Sequence, residues 1–181
     1  MITVFTTTYN REKTLERLYN SLINQSNKNF EWLIVDDGSN DNTKIIVENF
    51  INEKKINIRY YYQKNGGKHR AINFGIKHAD GELFFIVDSD DYIEYDAIKT
   101  IINDWKDIKN KDNISGITYR KFDINKNKII GKEFQKESFF SNHIEISKKY
   151  GDFDKAEIFN TKILKKYEFP EFKNEKFVPE G

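Results

Sequence analysis

Three carboxylates interrupted by one serine, Asp88-Ser89-Asp90-Asp91, follow directly on the apolar run Leu83-Phe84-Phe85-Ile86-Val87. Like charges crowded at the carboxyl end of a buried strand repel one another, so the cluster is tolerable where a cation or hydrogen-bond donors compensate it. The same residue types serve ordinary loops and helix N-caps, and an isolated D-x-D does not choose between the two readings. A second acidic turn favours chemistry: Asp36-Asp37-Gly38-Ser39 follows another apolar run, Trp32-Leu33-Ile34-Val35. Two strands would thereby deliver carboxylates to one edge of one sheet, the carboxyl edge at which open α/β sheets bind ligands.

The elements that must position these turns alternate along the chain. Ile2 to Thr7 reads as a short buried strand, and Leu15, Leu18, Tyr19, Leu22 and Ile23 then recur at helical spacing. Trp32 to Val35 forms a second strand. Ile45, Ile46, Phe50 and Ile51 mark the next helix, with Ser39 or Asp41 near its start. Ile58 to Tyr62 is a third strand, Asn65-Gly66-Gly67 breaks the chain, and Ala71, Ile72, Gly75, Ile76 and Ala79 mark a helix whose small residues allow close packing. Leu83 to Val87 is the fourth strand, Ile98, Ile101, Ile102 and Trp105 line a helix, and Ile114 to Tyr119 gives a fifth strand. This alternation predicts an α/β fold with a doubly wound, mostly parallel sheet flanked by helices. Lys106 to Asn113 reads as a solvated helix end and loop. Residues 120–150 are rich in Lys and Asn with scattered aromatics, which predicts irregular structure, a hairpin or a loop.

Composition narrows the function. The 181 residues suit one domain. Thirty basic and 29 acidic side chains leave a formal charge of +1, so no global basic field exists to hold a nucleic acid by its phosphates. No apolar stretch approaches the roughly 20 residues that span a bilayer, and the N-terminus lacks the order of a secretory signal. The absence of cysteine excludes disulfides, thiolate metal sites and cysteine nucleophiles and suits a reducing cytoplasm. The expected location is cytoplasmic, compatible with peripheral association at the inner face of the membrane.

Four motifs in order carry a resemblance: Thr6-Thr7-Thr8-Tyr9-Asn10-Arg11 after strand one, Val35-Asp36-Asp37-Gly38-Ser39 after strand two, Asn65-Gly66-Gly67-Lys68 before a helix, and Val87-Asp88-Ser89-Asp90-Asp91 after strand four. Together they resemble the family 2 glycosyltransferases of the GT-A (Rossmann-like) fold, densely over residues 1–105. The resemblance implies an inverting transfer from a nucleotide-sugar donor, a UDP-sugar foremost, to a glycan or lipid-linked acceptor hydroxyl in cell-surface glycan or polysaccharide synthesis. It implies a nucleotide-sugar-binding GT-A core over 1–119 and an acceptor-side part of the same domain over 120–181, truncated at its C-terminus. It also implies Mn²⁺ or Mg²⁺, hard cations matched to carboxylate oxygen, with Asp90 as direct ligand, Asp88 toward the ribose or diphosphate, and Asp91 behind the metal. Asp91 reads equally as the N-terminal residue of a helix. Thr7 and Tyr9 would hold and stack on the uracil, Asp37 would accept from its N3–H, and Asn10 and Ser89 belong to the same binding set. Lys68, at a helix start, would meet an anion together with free backbone N–H groups, a task Arg70 could share. His69 and His78 receive no role, and the three histidines show no zinc spacing.

An inverting transfer needs a base to take the acceptor proton. The family spacing places it at Glu180 in Phe177-Val178-Pro179-Glu180-Gly181, where Gly181 stands in place of the family's usual Asp. Glu175, Asp152, Asp154 and Glu157 are the alternatives. Because one residue follows the candidate base, the chain reads as the catalytic core of a longer protein. The competing function is a catalytically silent nucleotide-sugar-binding module of the same fold. A phosphoacceptor receiver domain is disfavoured, because strand one ends in Thr7-Thr8-Tyr9-Asn10 without a carboxylate.

Overall fold

The computed structural model describes residues 1–173, 175 and 176. In chain order the elements are β1 (Ile2–Thr8), α1 (Leu15–Ile23), β2 (Phe30–Asp36), α2 (Thr43–Glu53), β3 (Ile58–Tyr62), α3 (Lys68–His78), β4 (Leu83–Ile86), α4 (Ala97–Ile108), β5 (Gly116–Arg120), β6 (Phe122–Asp123), β7 (Lys128–Ile129), α5 (His143–Tyr150), β8 (Lys155–Asn160) and α6 (Thr161–Leu164). They form two compact units, residues 1–117 with the described residues from 158 onward, and residues 118–157.

The larger sheet has the strand order β3-β2-β1-β4-β8-β5. Strand β1 pairs in parallel with β2 and with β4, β2 pairs in parallel with β3, and β8 runs antiparallel to β4. The sheet is therefore mostly parallel, as the strand–helix alternation predicts. The chain first winds outward from β1 to β2 and β3, then returns to place β4 on the other side of β1. The carboxyl ends of β1 and β4 thus flank the topological switch point, where the diverging crossovers leave a crevice.

Near-continuous apolar strands reflect burial on both faces. Every residue of β2 is buried, and in β1 only Thr7 is partly exposed. On one face Tyr19 of α1 stacks on Phe50 of α2 with ring centroids 4.0 Å apart, and both stack at 6.2 Å on Trp32 of β2. On the other, Phe5 and Phe84 stack at 4.8 Å beneath Ala71, Ile72 and Ile76 of α3. Full burial of each large side chain contributes about 1.5–3 kcal/mol.

Helix α3 lies close to the sheet because of Gly75: a Cβ there would stand 2.0 Å from Phe5 Cε2. Gly75→Ala is expected to force Phe5 off its rotamer and to lower stability by about 1–3 kcal/mol, read as a shifted denaturant midpoint at unchanged slope. An unchanged midpoint would contradict this account of the packing.

Helix α2 departs from the sequence reading. Its buried residues are Thr43, Val47 and Phe50, whereas Ile45 and Ile51 are exposed. Positions 43, 47 and 50 share one helical face, and Phe50 has the aromatic stack to join. The Asp41 carboxylate supports the helix start by accepting from Thr43 N at 3.0 Å. Strand β8 was not anticipated, since Lys155–Asn160 alternates weakly and buries fully only Ile158. His69, given no role from the sequence, is buried at 1% exposed, and among the described residues neither ring nitrogen has a hydrogen-bond partner. His78 stacks on Phe74 with centroids 4.0 Å apart.

The second unit is held by aromatics. Phe134 packs edge-on against Phe139 at 5.3 Å and Tyr150 at 4.8 Å, and the Arg120 guanidinium lies 5.0 Å from the Phe134 ring. Phe122 opposes Ile129 in a short hairpin, as one of the expected options. Helix α5 is an addition to that reading, started by Asn142, whose side chain accepts from Glu145 N at 3.0 Å.

Candidate functional site

A cleft of about 540 Å³ opens at the switch point. Thr7, Thr8, Tyr9 and Arg11 line it from the end of β1, Asp37 from the end of β2, Asn65, Gly67 and Lys68 from the start of α3, and Asp88, Ser89 and Asp90 from the end of β4, with Lys176 completing it.

The loop after β1 is fastened to the loop after β2. Asn10 adopts φ 53°, a left-handed conformation that asparagine tolerates better than most residues. Its N–H donates to Ser39 Oγ at 2.8 Å, and its Oδ1 accepts from Asn40 N at 2.8 Å. Arg11 N donates to Thr43 Oγ1 at 3.0 Å, and Glu12 N donates to Asp41 Oδ2 at 3.2 Å. Burial pulls the Asp41 carboxyl upward, yet the hydrogen bonds from Thr43 and Glu12 outweigh it and hold its pKa below the usual range.

Adjacent aspartates take different tasks because successive strand residues face opposite ways. Asp36 is fully buried: Oδ1 accepts from Ser39 N at 2.7 Å and Oδ2 from the Tyr60 hydroxyl at 2.7 Å. Burial first, and this carboxylate second, push the Tyr60 phenol well above its usual pKa. Asp37 instead clamps the glycine turn. Its Oδ1 accepts from Gln63 Nε2 at 2.7 Å and Gly66 N at 2.9 Å, and its Oδ2 accepts from Gly67 N at 2.8 Å. A carboxylate offers about four acceptor sites, so among the described residues one on Oδ2 is not taken, and Asp37 lines the cleft.

Helix α3 begins at Gly67, whose φ of 100° is one that side chains rarely adopt and whose added Cβ would stand 2.0 Å from the Lys176 carbonyl oxygen. Among the described residues no side chain caps this helix start, and its first turn holds no acid. Lys68 Nζ reaches across to Asp88 Oδ1 at 3.0 Å, with both side chains about two-fifths exposed. Arg70, by contrast, turns away: its Nη2 donates to the Phe172 carbonyl at 2.7 Å and its Nε lies 3.4 Å from Glu171.

The acidic turn after β4 is closed by Asp91 N donating to the Asp88 carbonyl at 3.0 Å. Ser89 is buried, while the Asp90 side chain is half exposed, with Oδ2 3.9 Å from Arg11 Nη1. Three cations, Arg11, Lys68 and Lys176, and three carboxylates, Asp37, Asp88 and Asp90, therefore stand among the described lining residues. The lining is balanced in charge.

The structure thus gathers Thr7, Tyr9, Asp37, Lys68, Asp88, Ser89 and Asp90 into one cleft. Asn10 is not a lining residue but braces the loops that are. Glu180 lies outside the described residues. Of the alternative carboxylates, Asp154 pairs with Lys121 at 2.8 Å in the second unit. Sequence reasoning gave no role to Arg11, Thr8, Asn65 or Lys176. Arg11 carried a signal, its place in the motif after strand one, whereas Lys176 carried none. Among the described residues no group of three or more His, Cys, Asp or Glu side chains is arranged to cage a metal ion. Asp88 and Asp90 supply two hard carboxylates, a donor set suited to a cation completed by waters and phosphate oxygens.

Similarity to known proteins agrees with this geometry. The chain is similar to the Staphylococcus aureus poly(ribitol-phosphate) beta-N-acetylglucosaminyltransferase TarS, 39% identical over 98 residues that make up 53% of this chain and 17% of TarS. It is likewise 39% identical to glycosyltransferase GlyA of Streptococcus pneumoniae over 100 residues, 55% of this chain and 14% of GlyA. The chain thus spans less than a fifth of the length of either relative. The crystal structure of TarS 1–349 in complex with UDP-GlcNAc superposes with a TM-score of 0.71 at 27% identity, covering 94% of this chain and 48% of that one. A Pyrobaculum calidifontis mannosyltransferase in complex with GDP-Man and Mn²⁺ shares the fold, with a TM-score of 0.56 at 20% identity over 65% of this chain and 34% of that one. The fold is GT-A. A family profile described as glycosyl transferase family 2 matches residues 3–168, and the chain belongs to that family.

Proposed function

We propose that this chain is the donor-binding part of an inverting glycosyltransferase that moves a sugar from a UDP-sugar to an acceptor hydroxyl in cell-surface glycan synthesis. The observation that carries the reading is the convergence of Tyr9, Asp37, Lys68, Asp88 and Asp90 on one cleft at the switch point. The UDP-GlcNAc bound by the similar TarS structure supports the choice of nucleotide.

In this reading Tyr9, nearly half exposed, offers its ring to the base, and the remaining Oδ2 site of Asp37 accepts from the base N–H. Asp90, with Asp88 beside it, would hold Mn²⁺ or Mg²⁺. The cation, when bound, neutralises charge developing on the departing diphosphate. Lys68 and Arg11, now on carboxylates, supply positive charge to the same oxygens, and the uncapped start of α3 adds backbone N–H groups. A diphosphate alone would leave the balanced lining with excess negative charge, and a divalent cation alone with excess positive charge. The site therefore favours the two together. Glu180 is the candidate acceptor base, and residues 120–181 would supply the acceptor side, with Lys176 shared by the donor cleft.

Thermal unfolding with UDP, GDP and CDP, each with and without Mn²⁺, tests the reading. UDP at about 100 times its dissociation constant is expected to add about 2.7 kcal/mol, and only with the metal present. Equal, metal-independent stabilisation by all three nucleotides would overturn it. Binding without turnover, even in a longer native chain, would assign the fold to a silent binding module.

A further inference from the structure

Helix α1 is not part of the described cleft lining, yet Arg17 and Ser21, at i and i+4 on it, and Gln25, two residues past its end, hold the segment that carries Asp90. Arg17 Nη2 donates to the Asp90 carbonyl. Ser21 Oγ accepts from Ile93 N at 3.2 Å while donating to the Leu18 carbonyl at 2.7 Å. Gln25 Nε2 donates to the Glu94 carbonyl at 2.7 Å, and its Oε1 accepts from Ile98 N at 3.1 Å. Ser26 N continues the row by donating to the Tyr95 carbonyl at 3.0 Å. Arg17 and Ser21 stand above one another on the helix, and Gln25 and Ser26 follow directly on its end, so they make one polar stripe set against one run of backbone.

Residues 87–96 have no regular secondary structure of their own, and a loop whose backbone bonds are made elsewhere takes its conformation from those partners. Burial along the stripe grades from exposed Arg17 through half-buried Ser21 to buried Gln25, so it is anchored at its far end and meets the Asp90 backbone with Arg17. The Arg17 guanidinium also lies 5.8 Å from the Tyr92 ring, a second hold on the same turn. The carbonyl of Asp90 is fixed from outside while its carboxylate stays half exposed toward the cleft.

We infer that Arg17, Ser21 and Gln25 form a rail that positions Asp90 for the metal: they are positioning residues for sugar transfer, acting through the backbone of residues 90–98. The inference rests on the donor reading above. Partners that orient a metal ligand typically account for ten- to hundredfold in metal affinity.

Arg17→Met and Ser21→Ala test it, because neither residue is buried, with Glu16→Gln as a control on an exposed neighbour outside the stripe. Three quantities are read for each: hydrogen exchange of amides 91–96, the Mn²⁺ concentration giving half-maximal stabilisation by UDP, and the melting temperature. Both stripe variants are expected to exchange these amides at least about tenfold faster and to need about tenfold more Mn²⁺. Arg17→Lys is expected to recover part of both effects, and Glu16→Gln to change neither. Faster exchange with an unmoved Mn²⁺ requirement would reduce the rail to a structural brace and overturn the inference alone, as would unchanged exchange. A wild-type chain with no Mn²⁺ response would overturn the donor reading and this inference with it.

Discussion

Asp90→Ala is expected to lower sugar transfer on the order of a thousandfold while leaving the fold intact. The magnitude follows from what a bound divalent cation supplies, several kcal/mol of stabilisation for developing negative charge, at about 1.4 kcal/mol per tenfold in rate. The intact fold follows from position. The Asp90 side chain is half exposed, and its ion pair with Arg11 Nη1 at 3.9 Å belongs to a class worth about 0–1 kcal/mol. Removing the carboxylate also leaves Arg11 without its partner in the cleft, so nucleotide affinity measured without metal should hold or rise slightly. A variant with wild-type turnover would remove Asp90 from the reaction. A variant that no longer folds would show that the acidic turn is structural, contrary to its exposure.

The second large effect is expected far from the cleft. Glu31 is 1% exposed and carries its carboxylate under the amino-terminal ends of the strands. Its Oε1 accepts from Thr3 Oγ1 at 2.6 Å and Asp80 N at 3.0 Å, and its Oε2 accepts from Arg59 Nη1 at 3.0 Å. The same Arg59 nitrogen reaches Asp80 Oδ2 at 2.7 Å and the His78 carbonyl at 2.8 Å. Hydrogen bonding to Tyr61 and the two carboxylates raises the Arg59 pKa further above its already high value despite partial burial. Arg59→Ala would leave a buried negative charge uncompensated, at a cost of about 3 kcal/mol, the low end for a broken buried pair because Thr3 and Asp80 N still serve Glu31. In a chain of this size that corresponds to a melting temperature lower by roughly 10 °C. Asp80→Ala, which removes only the exposed partner, should cost less than about 1 kcal/mol. Calorimetric melting of both variants checks the contrast, and equal losses would contradict it.

The sequence by itself determined the winding of the chain and the chemical character of the cleft. Apolar runs such as Trp32-Leu33-Ile34-Val35, each closed by a polar turn, could satisfy their backbone and bury their side chains only as inner strands of a parallel sheet. Once the strands are parallel, the turns after them share one edge, so Tyr9, Asp37, Lys68 and Asp88 to Asp90 converge by topology. Local pattern failed where burial depends on what lies opposite. Ile45 and Ile51 read as core yet are exposed, because Val47 and Phe50 lie on the face that meets the aromatic stack. Lys155–Asn160 reads as nothing in particular yet forms a strand between β4 and β5, because strand formation there is settled by the neighbours' free backbone groups more than by alternation.

Only the tertiary structure decided how adjacent, chemically identical residues divide their tasks. Asp36 is turned inward to Ser39 and Tyr60 while Asp37 clamps the glycine turn, although the sequence offers the two as equals. Lys68 reaches Asp88 while Arg70, two residues on, binds the Phe172 carbonyl. Nothing in the sequence marked Arg17, Ser21 and Gln25 as partners of residues 90–98. The physical reason is the same in each case. Hydrophobic burial is summed over a local pattern, so it can be read along the chain, whereas a hydrogen bond or ion pair depends on where one distant atom comes to lie, and that is set only when the strands are stacked side by side.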